Sequence, residues 1–219
     1  MSPKKKTEIP TREALVAAYM SDTLEREKFP VSVYRFCKDN GLEESEFYKH
    51  FGSLESLQKE IWVSFCAKTF ELLGADKAFE GYAPREKLLG FFFTFFELLG
   101  LNRSYVLFAL KQGDKPMEGL SQLRGLRTRI REFARGLVEQ GNEERSSRIT
   151  QHNPALFSEG AWLQFLFLLR FWIKDGSPSF EKTDMAIEKS VNTIFDVFDN
   201  TPLERVLDFG KFLYKEHFA

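Results

Sequence analysis

The sequence predicts an all-α chain, with an N-terminal three-helix, helix-turn-helix domain over residues 1–54 and a C-terminal helical bundle over 55–219. Three observations carry this expectation. Every long segment repeats its apolar residues at three- and four-residue steps, and none alternates like a strand. Asn40-Gly41 separates two short helical patterns within Val31 to Leu57. A hydrophobic content of 43% over 219 residues is enough to bury a substantial core without metal or disulfide.

Within the N-terminal domain, Pro30 suits the first position of a helix, where its missing N–H would have no partner anyway. Val33, Phe36 and Cys37 then recur at i, i+3, i+4 and form that helix's apolar edge. Gly41 ends it, because glycine adopts a positive φ without steric cost. Leu42 returns to the core, and Phe47 and Phe51, four apart, give the next helix a buried edge. Tyr48, Lys49 and His50 are left facing outward.

At these residues the chain resembles the TetR family of one-component bacterial repressors. That family's N-terminal domain has a Thr-rich helix start, an Ala-Gly turn, and a Leu-Tyr-x-His-Phe helix followed by Ser-Lys-Glu-x-x-Leu. Pro30-Val31-Ser32-Val33, Asn40-Gly41-Leu42, Phe47-Tyr48-Lys49-His50-Phe51 and Ser53-Leu54-Glu55-Ser56-Leu57 fall on that pattern without a gap. The resemblance implies a homodimeric transcriptional regulator, a repressor in kind, that binds double-stranded operator DNA and is released by a small apolar or aromatic ligand. It places Ser32, Glu44, Ser45, Tyr48, Lys49 and His50 at the DNA, with Lys4, Lys5 and Lys6 as a basic arm reaching phosphates or a minor groove.

Two departures from the pattern concern charge. Glu43, Glu44 and Glu46 stand where the family usually carries small, basic or hydroxyl residues, and Leu54 stands where it usually has a lysine. Residues 1–60 hold ten Lys and Arg against eleven Asp and Glu, so this is not a basic domain. Duplex affinity comes mostly from cations neutralising phosphates. The three glutamates also suit a helix N-terminus through its dipole, and one Glu can accept from cytosine N4. Two readings therefore stand side by side: an operator-binding regulator, and a family-shaped module that has lost DNA and carries a lipid or isoprenoid or meets a protein partner.

Along the body, Glu55 to Leu73 carries Leu57, Ile61, Phe65 and Leu72 on one face and connects the two domains. Gly74 to Pro84 is a turn-rich break. Arg85 to Leu101, with Phe91, Phe92, Phe93, Phe95 and Phe96, is apolar almost all round and reads as the body's central helix. Tyr105 to Lys111 is a short helix ended by Gly113, and Pro116 opens one whose seam is Leu123, Leu126, Ile130, Phe133 and Leu137. Arg124, Arg127, Arg131 and Arg135 flank that seam, either as a solvated face paired with Glu118, Glu132 and Glu139 or as an anion trap.

Ala155 to Ile173 and Thr183 to Asp199 read as an antiparallel hairpin separated by Asp175-Gly176-Ser177-Pro178, and Pro202 to Phe218 adds a last amphipathic helix. The resemblance implies that helices 155–173 and 183–199 build the homodimer interface, which sets two reading heads one turn of DNA apart. It also raises the prospect of an aromatic ligand cavity walled by Phe92, Phe95, Phe96, Tyr105, Phe108, Trp162 and Phe165, with Tyr105 and Gln164 orienting a polar end. Aromatics at helical spacing are more often plain core.

Composition excludes other classes. The net charge of −1 names no partner. Cys37 and Cys66 lack metal-ligand spacing and read as buried thiols in a reducing compartment. Only three histidines are present, with no Gly-rich phosphate loop, His-x-x-x-His pair or Gly-x-Ser-x-Gly elbow to assemble a reacting centre, so neither an enzyme nor a cofactor or metal is expected. The basic start is not followed by an apolar run of signal-peptide kind, and the most apolar stretch, 161–173, falls short of a bilayer span. A cytoplasmic protein without a membrane segment is the expectation.

Overall fold

The computed structural model describes residues 10–111, 118–143 and 153–200. The expected basic arm at Lys4, Lys5 and Lys6 and the expected last helix over 202–218 lie outside the described residues, as do Gly113 and Pro116. Every regular element among the described residues is helical: α1 (Arg12–Arg26), α2 (Val33–Asp39), α3 (Glu44–His50), α4 (Leu54–Gly74), α5 (Pro84–Leu101), α6 (Arg103–Lys111), α7 (Glu118–Ser121), α8 (Arg124–Glu143), α9 (Pro154–Lys174) and α10 (Glu181–Asn200), with short 3-10 turns at Phe79–Gly81 and Pro178–Phe180. The described residues of Met1–Thr69 and Glu97–Arg129 form one compact unit, and those of Phe70–Phe96 and Ile130–Ala219 form a second. Three helices, α4, α5 and α8, run from one unit into the other.

In the first unit, Thr11 caps α1 by accepting a hydrogen bond from the Ala14 N–H at 3.1 Å, and Leu15 and Tyr19 are fully buried. Helix α2 starts later than the sequence suggested. Pro30 lies outside it, because Ser32 takes the cap and accepts from the Arg35 N–H at 3.2 Å, a stronger start signal than a proline two residues upstream. Gly41 has φ 67°, and the Leu42 N–H bonds back to the Cys37 carbonyl at 2.8 Å, closing the helix as the turn chemistry predicts. Phe36, Phe47 and Phe51 are buried and touch ring to ring, with centroids 6.0 Å apart for Phe36–Phe47 and 5.8 Å for Phe47–Phe51.

Helix α4 buries Leu57, Ile61, Phe65 and also Trp62, Cys66 and Thr69. Leu72 departs from the expected face and is 44% exposed. Four-residue steps drift around a 3.6-residue helix, so burial passes to Cys66 and Thr69 and leaves the last turn uncovered. Helix α6 packs beside α1 in this unit, and its Phe108 meets Phe29 of the loop after α1 edge to face at 5.2 Å. The Trp62 indole donates to Gln122 Oε1 at 2.8 Å, and Gln122 donates in turn to the Ala109 carbonyl at 3.0 Å. A Cβ on Gly125 would stand 2.7 Å from Val63 Cγ2, so α4 and α8 approach there as only glycine permits.

The second unit is built on aromatic rings. Phe91, Phe92, Phe95 and Phe96 of α5 are buried, while Phe93 is 37% exposed and departs from the all-round burial expected of this helix. The segment expected to run as one helix from Pro116 breaks after α7 and resumes as α8. Leu123, Leu126, Ile130 and Leu137 of its seam are buried, and half-buried Phe133 packs on Phe70 and Phe91 at 5.1 and 5.0 Å. Helices α9 and α10 form the expected antiparallel pair: Phe157 at the start of α9 meets Phe198 at the end of α10, centroids 4.9 Å apart. Asp175 ties their connection, accepting from the Ser177 and Thr183 hydroxyls at 2.6 and 2.7 Å and from both backbone N–H groups.

Helix α9 exceeds its expected length. At 21 residues it is long and apolar enough to cross a membrane, because Asn153 caps it eight residues upstream of the run 161–173 and Pro154 fits its first turn. Half of its apolar window is buried inside the protein.

Candidate nucleic-acid interface and aromatic core

The interface candidate is set by α2, the Gly41 turn and α3. Phe47 is buried at the centre of α3, and residues on the opposite side of the helix, Ser45, Tyr48 and Lys49, are exposed, with Tyr48 at 53%. Glu44 is half-buried at the helix start. His50 departs from the expected outward set. It lies three residues after Phe47, turns back toward the buried side and is half-buried. Ser32 is exposed; its oxygen is taken as a cap acceptor, which leaves the hydroxyl proton available as a donor. Val31 and Tyr34 beside it are 84% and 59% exposed. Glu43 occupies the α3 cap position but its side chain makes no cap hydrogen bond, so any contribution of the acids there comes through the helix dipole.

Most cations of this region are already paired. Arg12 meets Glu60 at 2.9 Å, Arg26 meets Asp22 at 2.6 Å and Asp39 at 2.9 Å, and Arg35 meets Asp39 at 2.8 Å. Lys49 meets Glu46 at 2.7 Å and Lys59 meets Glu55 at 2.7 Å. Lys38 lies over the Tyr34 ring. A hydrogen bond from Arg35 and the charges around it hold the Asp39 carboxyl below the ordinary range. Sequence spacing shows the i, i+3 and i, i+4 pairs; the pairs 12–60 and 26–39, which join different helices, needed the fold. An open cleft of about 300 Å³ between the end of α1 and the start of α2 is lined by these same paired groups, Asp22, Arg26, Arg35 and Asp39, with Phe29 and Val31.

The aromatic residues expected to wall a ligand cavity divide between the two units. In the second, Phe95 and Phe96 of α5 meet Phe165 of α9 at 5.6 and 6.0 Å, Phe165 stacks on Trp162 at 5.3 Å, and Phe92 is buried against Phe91. Gln164, nearly buried, donates to Ser190 at 2.9 Å, and its side-chain oxygen has no hydrogen-bond partner. In the first unit, Tyr105 is 1% exposed with an unpartnered hydroxyl, and burial pushes its ionisation well above the ordinary tyrosine range. Phe108 is half-buried against Phe29. Tyr19, bonded to Gln58, is pushed up to about 12 by burial.

Cys37 and Cys66 are buried and unbridged, and burial raises both thiols, Cys66 to about 12. Arg131 pairs with Glu159 of α9 at 3.0 Å, a partner outside the acids of its own helix. No cluster of three metal-ligating side chains occurs among the described residues. A feature that periodicity alone did not isolate is a ridge on α9, where Leu163, Phe167 and Phe171 at i, i+4, i+8 are 64%, 55% and 37% exposed.

Comparison with known proteins agrees with this architecture. Residues 87–213 match the model of the tetracyclin repressor-like C-terminal domain, more than half the chain. No curated protein matches the chain. Among solved structures, a crystal structure described as a TetR-family transcriptional regulator from Syntrophomonas wolfei str. Goettingen superposes with a TM-score of 0.62 at 13% identity, covering 90% of this chain and 98% of that one. At that identity the likeness speaks for the fold, and the family follows from the C-terminal match: with its all-α fold, this chain belongs to the tetracyclin repressor-like, or TetR, family.

Proposed function

We propose that this TetR-family regulator works as a homodimeric, DNA-binding transcriptional repressor whose release from operator DNA is set by a small apolar or aromatic ligand. One observation carries the reading: α2, the Gly41 turn and α3 are fixed by the buried Phe36, Phe47 and Phe51, and Ser45, Tyr48 and Lys49 project from the opposite face. That is the geometry a helix needs to enter a major groove. Ser32 serves as a phosphate donor, Glu44 and His50 flank the reading residues, and Lys4, Lys5 and Lys6 supply charge the head lacks. The ridge of Leu163, Phe167 and Phe171 supports pairing of two chains through α9 and α10, since apolar side chains repeating along one helix face gain most by covering one another.

The ligand belongs to the second unit in this reading, among Phe92, Phe95, Phe96, Trp162 and Phe165, with Gln164 for a polar end. Tyr105 and Phe108 lie in the first unit, where Phe108 packs on Phe29. Helix α4 acts as the lever. Such a switch works only through different ligand affinities for two head spacings. Nothing in this scheme calls on a catalytic step, a cofactor or a membrane, and it suits a cytoplasmic protein.

The test is selection of genomic fragments by the purified protein at near-physiological salt. Enrichment of a palindromic site, lost in a Ser45→Ala, Tyr48→Ala double variant, supports the assignment. A second reading, a family member that has given up DNA for a lipid or a protein partner, is favoured by the paired state of Arg12, Arg26, Arg35, Lys49 and Lys59. Absence of enrichment together with co-purifying lipid would decide for it.

A further inference from the structure

Lys49 is the one basic residue among the exposed reading residues of α3, and its ammonium is held 2.7 Å from Glu46 Oε1. The pair is asymmetric. The Lys49 side chain is 54% exposed, whereas that of Glu46 is 24% exposed, and its other oxygen is buried without a hydrogen-bond partner. The carboxylate is therefore fixed beside α3 with Lys49 as its only ion-pair partner among the described residues, and partial enclosure weakens the solvent screening that makes exposed pairs negligible. On the helix, position 46 sits beside 49 and off the centre of the face formed by 45, 48 and 49. It draws the ammonium sideways rather than toward the groove.

We infer that Glu46 is a positioning residue that withholds Lys49 from DNA phosphates and so suppresses sequence-independent binding by the reading head. The inference rests on the DNA-binding reading of α3 and adds a purpose to its acidic character. Non-specific affinity is built almost wholly from lysine and arginine neutralising phosphates. A lysine already neutralised within the protein contributes little to a random duplex. At a correct site, the remaining contacts hold the helix in place long enough for phosphate to replace the carboxylate as its partner. Specificity is the ratio of the two affinities, so lowering the non-specific one raises it.

The experiment measures binding of the full chain to a random-sequence duplex across a salt series. Glu46→Gln keeps the side chain's size and helix preference, removes the charge, and is expected to raise non-specific affinity roughly tenfold, the effect of one unit charge at phosphate distance in a screened medium. The slope of log affinity against log salt should steepen by about 0.9, the signature of one more phosphate neutralised. Glu43→Gln removes the same formal charge from an exposed residue with no ion pair among the described residues, and should change affinity less than twofold. Lys49→Ala should cost about tenfold in the Glu46→Gln background, more than it costs in the native chain.

An equal gain from Glu43→Gln, an unchanged salt slope, or a Lys49→Ala loss that is the same in both backgrounds would overturn the inference. The two failures separate cleanly. If genomic selection enriches a palindrome while Glu46→Gln leaves random-duplex affinity unchanged, only this inference falls. If neither form enriches any fragment, the DNA-binding reading falls and takes it along.

Discussion

Two exposed surfaces of this protein contrast in every property that decides what can cover them. The reading face of α3 is seven residues long, carries Ser45, Tyr48 and Lys49, and has its one cation held by a carboxylate. The ridge of α9 lies on a helix of 21 residues and offers Leu163, Phe167 and Phe171, with exposed Arg170 beside them on the same side of the helix. The first surface loses nothing by standing in water and suits a polar, salt-sensitive partner. The second exposes apolar area whose burial is worth about 25 cal/mol per Å², and it suits a permanent one. Under the proposed function, the head would bind and release while the pairing of chains persists.

The contrast can be broken most severely from the inner side of α9. Phe165, buried and in ring contact with Phe95, Phe96 and Trp162, should cost about 3–5 kcal/mol of stability when replaced by Ala, read by denaturant unfolding. Two turns of the same helix on its outer side should behave differently. A Leu163→Glu, Phe167→Glu double variant should weaken self-association at least 100-fold in sedimentation, about 3 kcal/mol, while the chain keeps its helical spectrum. Unfolding of that variant in place of dissociation would mean that the ridge is covered within the chain and does not face a second copy.

Smaller effects sharpen the comparison. Gly125→Ala places a methyl group against the stiff Val63 side chain and should cost about 1–3 kcal/mol, whereas Gly136, with open space around its Cβ position, should tolerate Ala without loss. Burial pushes the Asp175 carboxyl up, but the hydroxyls and N–H groups of Ser177 and Thr183 outweigh it and hold it at about 2. A carboxylate depressed from 3.8 contributes its full stabilisation above the ordinary carboxylate range and loses it as pH falls through about 2. Asp175→Asn should flatten the acid limb of the stability profile there, seen as a smaller difference in melting temperature between pH 5 and pH 2. Tyr48→Ala is the smallest for folding, within about 0.5 kcal/mol, yet should lower operator affinity about tenfold.

Much of this was legible in the residues, and the parts that were not share a physical reason. Periodicity placed the helices, and the need for positive φ at Gly41 placed the turn, because both are local properties of the chain. Ser32 displaced Pro30 as the start of α2 because a side-chain cap satisfies an orphan N–H while proline merely lacks one. The fate of His50 follows from its three-residue distance to Phe47, a relation visible in the sequence but passed over in a reading that makes Phe47 and Phe51 alone the buried edge and every residue between them outward. Arg26 with Asp39, and Arg131 with Glu159, join different helices and could be read only once the helices were packed. The aromatic residues of the expected cavity wall were recognised as largely enclosed, but their division between two units depends on where along α5 one unit gives way to the other, which leaves α6 in the first.

The central claim is that the apolar ridge pairs two chains so that two polar heads act on one DNA site. Native mass spectrometry of the protein with a duplex enriched from genomic selection tests it most directly. The account predicts a complex of two chains per duplex, reduced to free DNA and single chains by the Leu163→Glu, Phe167→Glu variant. One chain per duplex, or an intact two-chain complex in that variant, would contradict it.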